Sequence, residues 1–145
     1  MRRLIPALIV QLLAVGGFAA TGVGQAAADT SRCLPGETVH VDAYYSPRVL
    51  RPGETGTNVI EVTNCTNETQ QVTYSGEVTA PGRCGGTSFP FGPVSLTLAP
   101  GESASKEVPF EAPDCGGSYR QVVRVYQDST VLARDVATFT AVPGS

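Results

Sequence analysis

The feature of this chain that most restricts its fold is an alternation of apolar and polar residues, with a period of two, between residues 39 and 142. Successive side chains of a β-strand point to opposite faces, whereas a helix repeats its apolar positions every three to four residues. Seven strands, A to G, are predicted from this pattern at residues 39–43, 60–62, 72–78, 94–98, 104–110, 119–125 and 130–142. Seven short strands separated by polar turns predict an all-β protein, a seven-stranded antiparallel sandwich of two sheets.

A turn sequence that occurs three times separates several of these strands. Pro-Gly-Glu stands at residues 35–37, 52–54 and 100–102. Proline presets φ at the first central position of a turn, and glycine supplies the positive φ that a type II turn needs at the second. Each copy is therefore expected to form a type II turn that starts a new strand. The residues that follow the three turns differ, so the repetition indicates shared turn chemistry and not duplicated domains.

The N-terminal segment has the three parts of a secretory signal peptide. Arg2 and Arg3 precede a mostly apolar run at residues 7–20, and three alanines at 26–28 precede Asp29. The apolar run is shorter than the roughly 20 residues that a spanning helix requires. We therefore expect residues 1–28 to be cleaved, and residues 29–145 to form one secreted domain without stable membrane insertion.

The charge balance restricts the partners of that domain. Without residues 1–28 the chain keeps 8 basic and 13 acidic side chains, a net charge of −5. Nucleic acids and anionic membranes are bound by clusters of Lys and Arg. No nucleic-acid partner is therefore expected. We expect the domain to be a monomer and to bind an extracellular protein or a cell-wall component.

All four cysteines lie in the predicted domain, at Cys33, Cys65, Cys84 and Cys115. An even number in an exported chain indicates disulfides, and the spacings of 32, 19 and 31 residues lack the close pairs of a zinc site. No metal or cofactor is expected. Successive antiparallel strands place Cys33 and Cys65 at one end of the sandwich and the other two at the opposite end. Because bonded cysteines have Cα atoms within about 7 Å, we predict the pairs Cys33–Cys65 and Cys84–Cys115.

Three stretches of the chain are similar to bacterial Ig-like sandwich modules, among them CARDB-like domains of secreted and cell-surface proteins. Val62-Thr63-Asn64, the turn at residues 98–103 and Gly117-Ser118-Tyr119 recur in that order, and the similarity covers residues 36–142. The resemblance implies an Ig-like sandwich, and such modules serve adhesion, substrate binding, spacing or inhibition. It also places Tyr119 at the position of a tyrosine corner. The chain departs from antibody domains, because strand C has no Trp and strands B and F have no Cys.

Catalytic chemistry finds little support in the sequence. His40 is the only histidine, so any Ser-His-Asp or Cys-His arrangement would have to use it. It alternates with apolar residues of strand A, which places it on the outward face beside Asp42, and the chain contains no Gly-x-Ser-x-Gly sequence. We expect a solvated strand histidine and no catalytic residues.

Two glycosylation sequences occur between predicted strands B and C. Asn64-Cys65-Thr66 and Asn67-Glu68-Thr69 both match the acceptor pattern. We interpret both as polar residues of a loop.

The candidate partner-binding residues are Phe89, Pro90 and Phe91, in an expected C–D loop near Cys84. Aromatic rings stiffened by prolines can contact a partner with little loss of conformational entropy. The alternative is that both rings fold back and cap the open end of the core.

These observations favour a secreted, non-catalytic Ig-like module that binds an unidentified extracellular partner or has a structural role. A secreted protease inhibitor that presents the loop around Phe89–Pro93 is the alternative, and an extracellular hydrolase comes third.

Overall fold

The computed structural model describes residues 32–144, so the predicted signal peptide at 1–28 lies outside the described residues. Eight strands form: β1 Val39–Ser46, β2 Val49–Leu50, β3 Thr55–Asn64, β4 Gln70–Thr79, β5 Ser88–Leu98, β6 Ser103–Glu111, β7 Gly117–Gln127 and β8 Thr130–Ala141. One turn of 3-10 helix, Gly82–Cys84, lies between β4 and β5. Within residues 32–144 there is no helix with the length and apolar character needed to cross a membrane.

The strands form two sheets that face each other. One has three strands in the order β1-β3-β6, and the other has five in the order β2-β8-β7-β4-β5. The predicted all-β fold is confirmed, and the seven predicted strands correspond to β1 and to β3 through β8.

The predicted count of seven strands is wrong, because β2 is an eighth. This two-residue strand pairs in parallel with β8, so the sandwich is not purely antiparallel. Two residues are too few to show an alternation, and β2 is defined by its pairing with a strand some 90 residues away in sequence.

The core lies between the inner faces of the two sheets. On β1 the buried residues are Val39, Val41, Ala43 and Tyr45, which is the predicted alternation extended by one position. The larger sheet supplies Val72 and Tyr74 from β4, Tyr119, Val123 and Val125 from β7, and Ala137, Phe139 and Ala141 from β8.

The three Pro-Gly-Glu sequences form turns of one kind, as predicted. Their glycines have φ values of 85°, 80° and 72°, a backbone conformation in which any residue with a side chain would be strained. The backbone N–H of Glu37, Glu54 and Glu102 donates to the carbonyl three residues earlier at 3.1, 3.0 and 3.0 Å. In return each glutamate carboxylate accepts a hydrogen bond from the backbone N–H of that earlier residue, at 2.7, 2.7 and 2.6 Å. This second bond is not evident from the Pro-Gly-Glu pattern, which predicts the turn alone.

The two disulfides are Cys33–Cys65 and Cys84–Cys115, the pairs predicted from topology, with Cα–Cα distances of 5.8 and 5.9 Å. Val39 at the start of β1 is paired with Asn64 at the end of β3, so the first disulfide lies at that end of the sandwich. The second joins the β4–β5 loop to the β6–β7 loop at the other end.

The two lateral sides of the sandwich differ. On one side β1 packs against β8, and the backbone N–H of Ala43 donates to Asp135 Oδ2 at 2.7 Å across the two sheets. On the other side β5 and β6 are the outermost strands of their sheets and make few contacts with each other. The sandwich is therefore closed along one side and open along the other.

Candidate binding cleft

An apolar cleft with a volume of about 410 Å³ lies between the sheets, near the Cys84–Cys115 disulfide. Its lining comes from both sheets and from the two loops that this disulfide joins. The volume falls within the range of about 300–1,000 Å³ that is typical of small-molecule sites.

Four aromatic rings form the inner wall of the cleft. The Phe139 ring centroid lies 4.7 Å from that of Tyr45, 5.0 Å from that of Phe110 and 4.8 Å from that of Tyr119. Tyr45 and Phe110 also meet edge to face at 5.4 Å. Because the rings hold one another in place, with each such contact worth about 0.5–1.5 kcal/mol beyond burial, this wall is rigid.

The second disulfide and the tyrosine corner form one end of the cleft. Cys84, Cys115 and Tyr119 all line it. The Tyr119 hydroxyl donates to the carbonyl of Cys115 at 2.8 Å, as the tyrosine-corner resemblance implied. This bond fixes the β6–β7 loop against the aromatic wall.

The segment predicted as a C–D loop is in fact the first half of β5. Phe89, Pro90 and Phe91 pair with Val78, Glu77 and Gly76 of β4. The loop prediction is wrong because Pro and Gly in this stretch were interpreted as turn signals, whereas prolines are also accommodated on edge strands such as β5.

The two rings of this segment have different environments, so neither sequence-based alternative holds for both. Phe91 is partly buried and packs against the core. A Cβ on Gly76 would lie 2.3 Å from the backbone oxygen of Val122 and 2.4 Å from Cζ of Phe91, so only glycine at this position of β4 leaves space for the neighbouring strand and for the ring. Phe89 is 57% exposed and lines the cleft together with Val108 of β6, which is 42% exposed.

Two carboxamides beneath the apolar surface have buried atoms without hydrogen-bond partners among residues 32–144. Asn58 of β3 lines the cleft, and its Oδ1 is buried without a partner in the described part of the chain. Gln121 is fully buried on the inner face of β7, opposite Val78, and neither its Oε1 nor its Nε2 has a partner there. Nothing in the sequence pattern singled out either residue, because a polar residue at an inward position is indistinguishable from a break in the alternation.

The cleft carries no charge, since none of its lining residues is acidic or basic. Removal of the hydroxyl of Tyr45 from water by burial raises the pKa of Tyr45 to about 12. The phenol is therefore neutral at any physiological pH.

His40 lies outside the cleft. It is half-buried, and its Nδ1 is 3.1 Å from Glu37 Oε2, so the expected solvated histidine is engaged with a carboxylate. Among residues 32–144, no group of three or more His, Cys, Asp or Glu side chains is placed to hold a metal ion.

Comparison with known proteins identifies the fold. No family model matches the sequence, and no curated protein matches it. The CARDB domain of a Pyrococcus furiosus protein, solved in complex with di-metal ions, is 20% identical with a TM-score of 0.51, over 72% of this chain and 86% of that domain. This chain has a CARDB-like fold. The resemblance predicted from the sequence is confirmed for the fold. A sequence identity of 20% supports a shared fold and nothing further.

A second similar structure is that of a longer enzyme. The alkylpurine DNA glycosylase AlkC of Pseudomonas fluorescens, bound to DNA containing an abasic site analogue, is 17% identical with a TM-score of 0.53. The match covers 73% of this chain and only 31% of the glycosylase. The CARDB-like chain therefore spans about a third of that enzyme.

Proposed function

We propose that this chain is a secreted, non-catalytic CARDB-like module that binds an extracellular protein or cell-wall component through the open side of its sandwich. The observation that carries the proposal is the position of Phe89. Its ring is 57% exposed on a strand that is fixed by pairing with β4, and it lies beside an apolar cleft. A large ring held in place before binding loses little entropy when a partner covers it.

Secretion and the absence of catalysis are parts of the same proposal. Two disulfides favour an oxidising compartment, in agreement with the signal peptide expected at residues 1–28. The contact of His40 with Glu37 favours a structural role for the only imidazole in the chain.

A protease inhibitor is the second candidate, and the structure weakens its main argument. A segment inserted into a protease cleft must be free to form new backbone hydrogen bonds. Residues 89–93 lie in β5, and most of them already pair with β4 along one edge. The exposed edge of β5 and the ring of Phe89 are what remain for such a role.

The test compares retention of the purified domain on isolated cell walls and on immobilised culture-fluid proteins of the source organism. Phe89→Ser should weaken retention by about tenfold or more, as expected for an aromatic contact residue, while the melting temperature stays nearly unchanged because the ring is exposed. Val131→Ser is the control, since Val131 is 49% exposed and lies outside the cleft.

Equal retention of all three proteins would contradict the proposal and leave a structural role. If the domain inhibits a secreted protease and Phe89→Ser abolishes that inhibition, the second candidate would be favoured instead.

A further inference from the structure

The chemistry of the cleft defines the class of small molecule that it can accept. Apart from Asn58 and the Cys84–Cys115 disulfide, the lining is aromatic and aliphatic, and it includes no charged side chain. A charged ligand would lose its hydration without gaining a counter-charge, which makes its entry unfavourable. A flat, neutral molecule would instead pack against the rings of Tyr45, Phe110 and Phe139.

The unpartnered Asn58 carboxamide adds a polar requirement. A buried carbonyl oxygen without a donor costs roughly 1–3 kcal/mol, so a group that donates to Asn58 Oδ1 recovers that free energy. Oδ1 is buried in the structure, so a ligand in the cleft reaches it only after a rotation about the Cβ–Cγ bond, which the broad χ2 preferences of asparagine allow. The fully buried and unpartnered Gln121 shows that the same interior leaves a second carboxamide unsatisfied.

We propose that the cleft binds a small, neutral, aromatic molecule with a single hydroxyl group, whose ring packs against the aromatic wall and whose hydroxyl donates to Asn58 Oδ1. The inference rests on the proposed function in one respect, because it takes the open side of the sandwich as a binding surface. It adds the ligand class and the residue that would select it.

Binding is tested on the purified domain with N-phenyl-1-naphthylamine, a neutral aromatic probe that fluoresces in apolar surroundings. We expect saturable fluorescence, and displacement of the probe by 2-naphthol more effectively than by 2-methoxynaphthalene. The two competitors have the same ring system, and only the first can donate to Asn58 Oδ1. One such hydrogen bond corresponds to a difference in affinity of roughly two- to tenfold.

Two variants test whether the probe and its competitors bind in the cleft. Asn58→Leu should reduce the affinity for 2-naphthol by the same two- to tenfold and leave that for 2-methoxynaphthalene unchanged. The variant should fold with an equal or higher melting temperature, because Oδ1 has no partner to lose. Val108→Phe adds a ring at the exposed edge of the cleft and should weaken the binding of the probe and of both competitors. Val131→Phe, outside the cleft, should leave their binding unchanged.

The inference is wrong if N-phenyl-1-naphthylamine shows no saturable fluorescence, if Val108→Phe has no effect, or if Asn58→Leu weakens both naphthalenes equally. These outcomes are distinct from failure of the proposed function, which is measured by retention on cell walls and secreted proteins. Retention that depends on Phe89 without probe binding would overturn the ligand assignment and keep the binding module. Probe binding without retention would keep the ligand assignment and overturn the binding module.

Discussion

The side chain of Asn64 lies within hydrogen-bond distance of five groups of the surrounding chain. The two hydrogens of its Nδ2 are shared among the carbonyls of Glu68, Leu98 and Ala99, at N···O distances of 2.7, 3.1 and 3.0 Å. Its Oδ1 accepts from the backbone N–H and the hydroxyl of Thr66 at 2.9 and 2.8 Å. The residue is fully buried, so the interpretation of its sequence context as loop polarity was wrong. Asn64 instead joins the end of β3 to the β3–β4 loop and to the β5–β6 turn.

Replacement of Asn64 by Ala should therefore lower the free energy of unfolding by about 3 kcal/mol or more. The variant removes the hydrogen bonds of both polar atoms of a fully buried side chain, each worth roughly 1 kcal/mol. Chemical denaturation followed by circular dichroism measures the effect. Asn67→Ala is the control, because Asn67 is exposed in the neighbouring sequon and its loss should change stability by less than about 0.5 kcal/mol. Equal stabilities of the two variants would contradict the role assigned to Asn64.

At the scale of elements, the outermost strands of the open side carry features that hinder pairing with another chain. β5 contains Pro90 and Pro93, and β6 contains Pro109, none of which has a backbone N–H to donate. Lys106 is paired with the buried Ile60, so this charged residue occupies an inward-facing position of β6. Inward-pointing charges and prolines are common protections of edge strands. They support the expectation of a monomer.

Removal of these features from β6 should produce self-association. The double variant Lys106→Val with Pro109→Val restores a backbone donor and an apolar inner face to an exposed edge strand. Sedimentation velocity should show dimers or larger species for this variant and a single monomeric species for the wild-type domain. Glu107→Val, a change on the opposite face of the same strand, should remain monomeric. A double variant that stays monomeric would show that the edge is protected by something else.

At the scale of the whole molecule, the sequence predicted the parts of the fold that depend on local patterns. The alternation predicted seven of the eight strands, and strand reversal predicted which cysteines meet. The cleft could not be predicted, because it depends on how the edge strands β5 and β6 of the two sheets diverge in space, which their alternation does not encode. Phe89 and Phe91 illustrate this limit: they are two residues apart on one strand, and the second ring lies in the space that its paired residue Gly76 leaves open.

The two disulfides should contribute almost equally to stability. They close loops with sequence separations of 32 and 31, and chain entropy assigns each about 3–4 kcal/mol. Denaturation of Cys33→Ala/Cys65→Ala and of Cys84→Ala/Cys115→Ala, each against the wild-type domain, measures both contributions. A substantially larger loss for the second pair would show that the bond also supports the native wall of the cleft, beyond its effect on the unfolded chain.

The positions of the same cross-links determine how the domain would respond to tension. A pull between residues 33 and 144 passes directly from Cys33 to Cys65 and from Cys84 to Cys115. The strands β1, β2, β3, β5 and β6 lie inside these bypassed segments and carry no load along the chain. Only β4, β7 and β8, which are neighbours in the larger sheet, can be drawn out. Under mechanical force the domain would therefore extend only by the length of the residues outside the two disulfide-closed loops, which is less than half of the chain between residues 33 and 144.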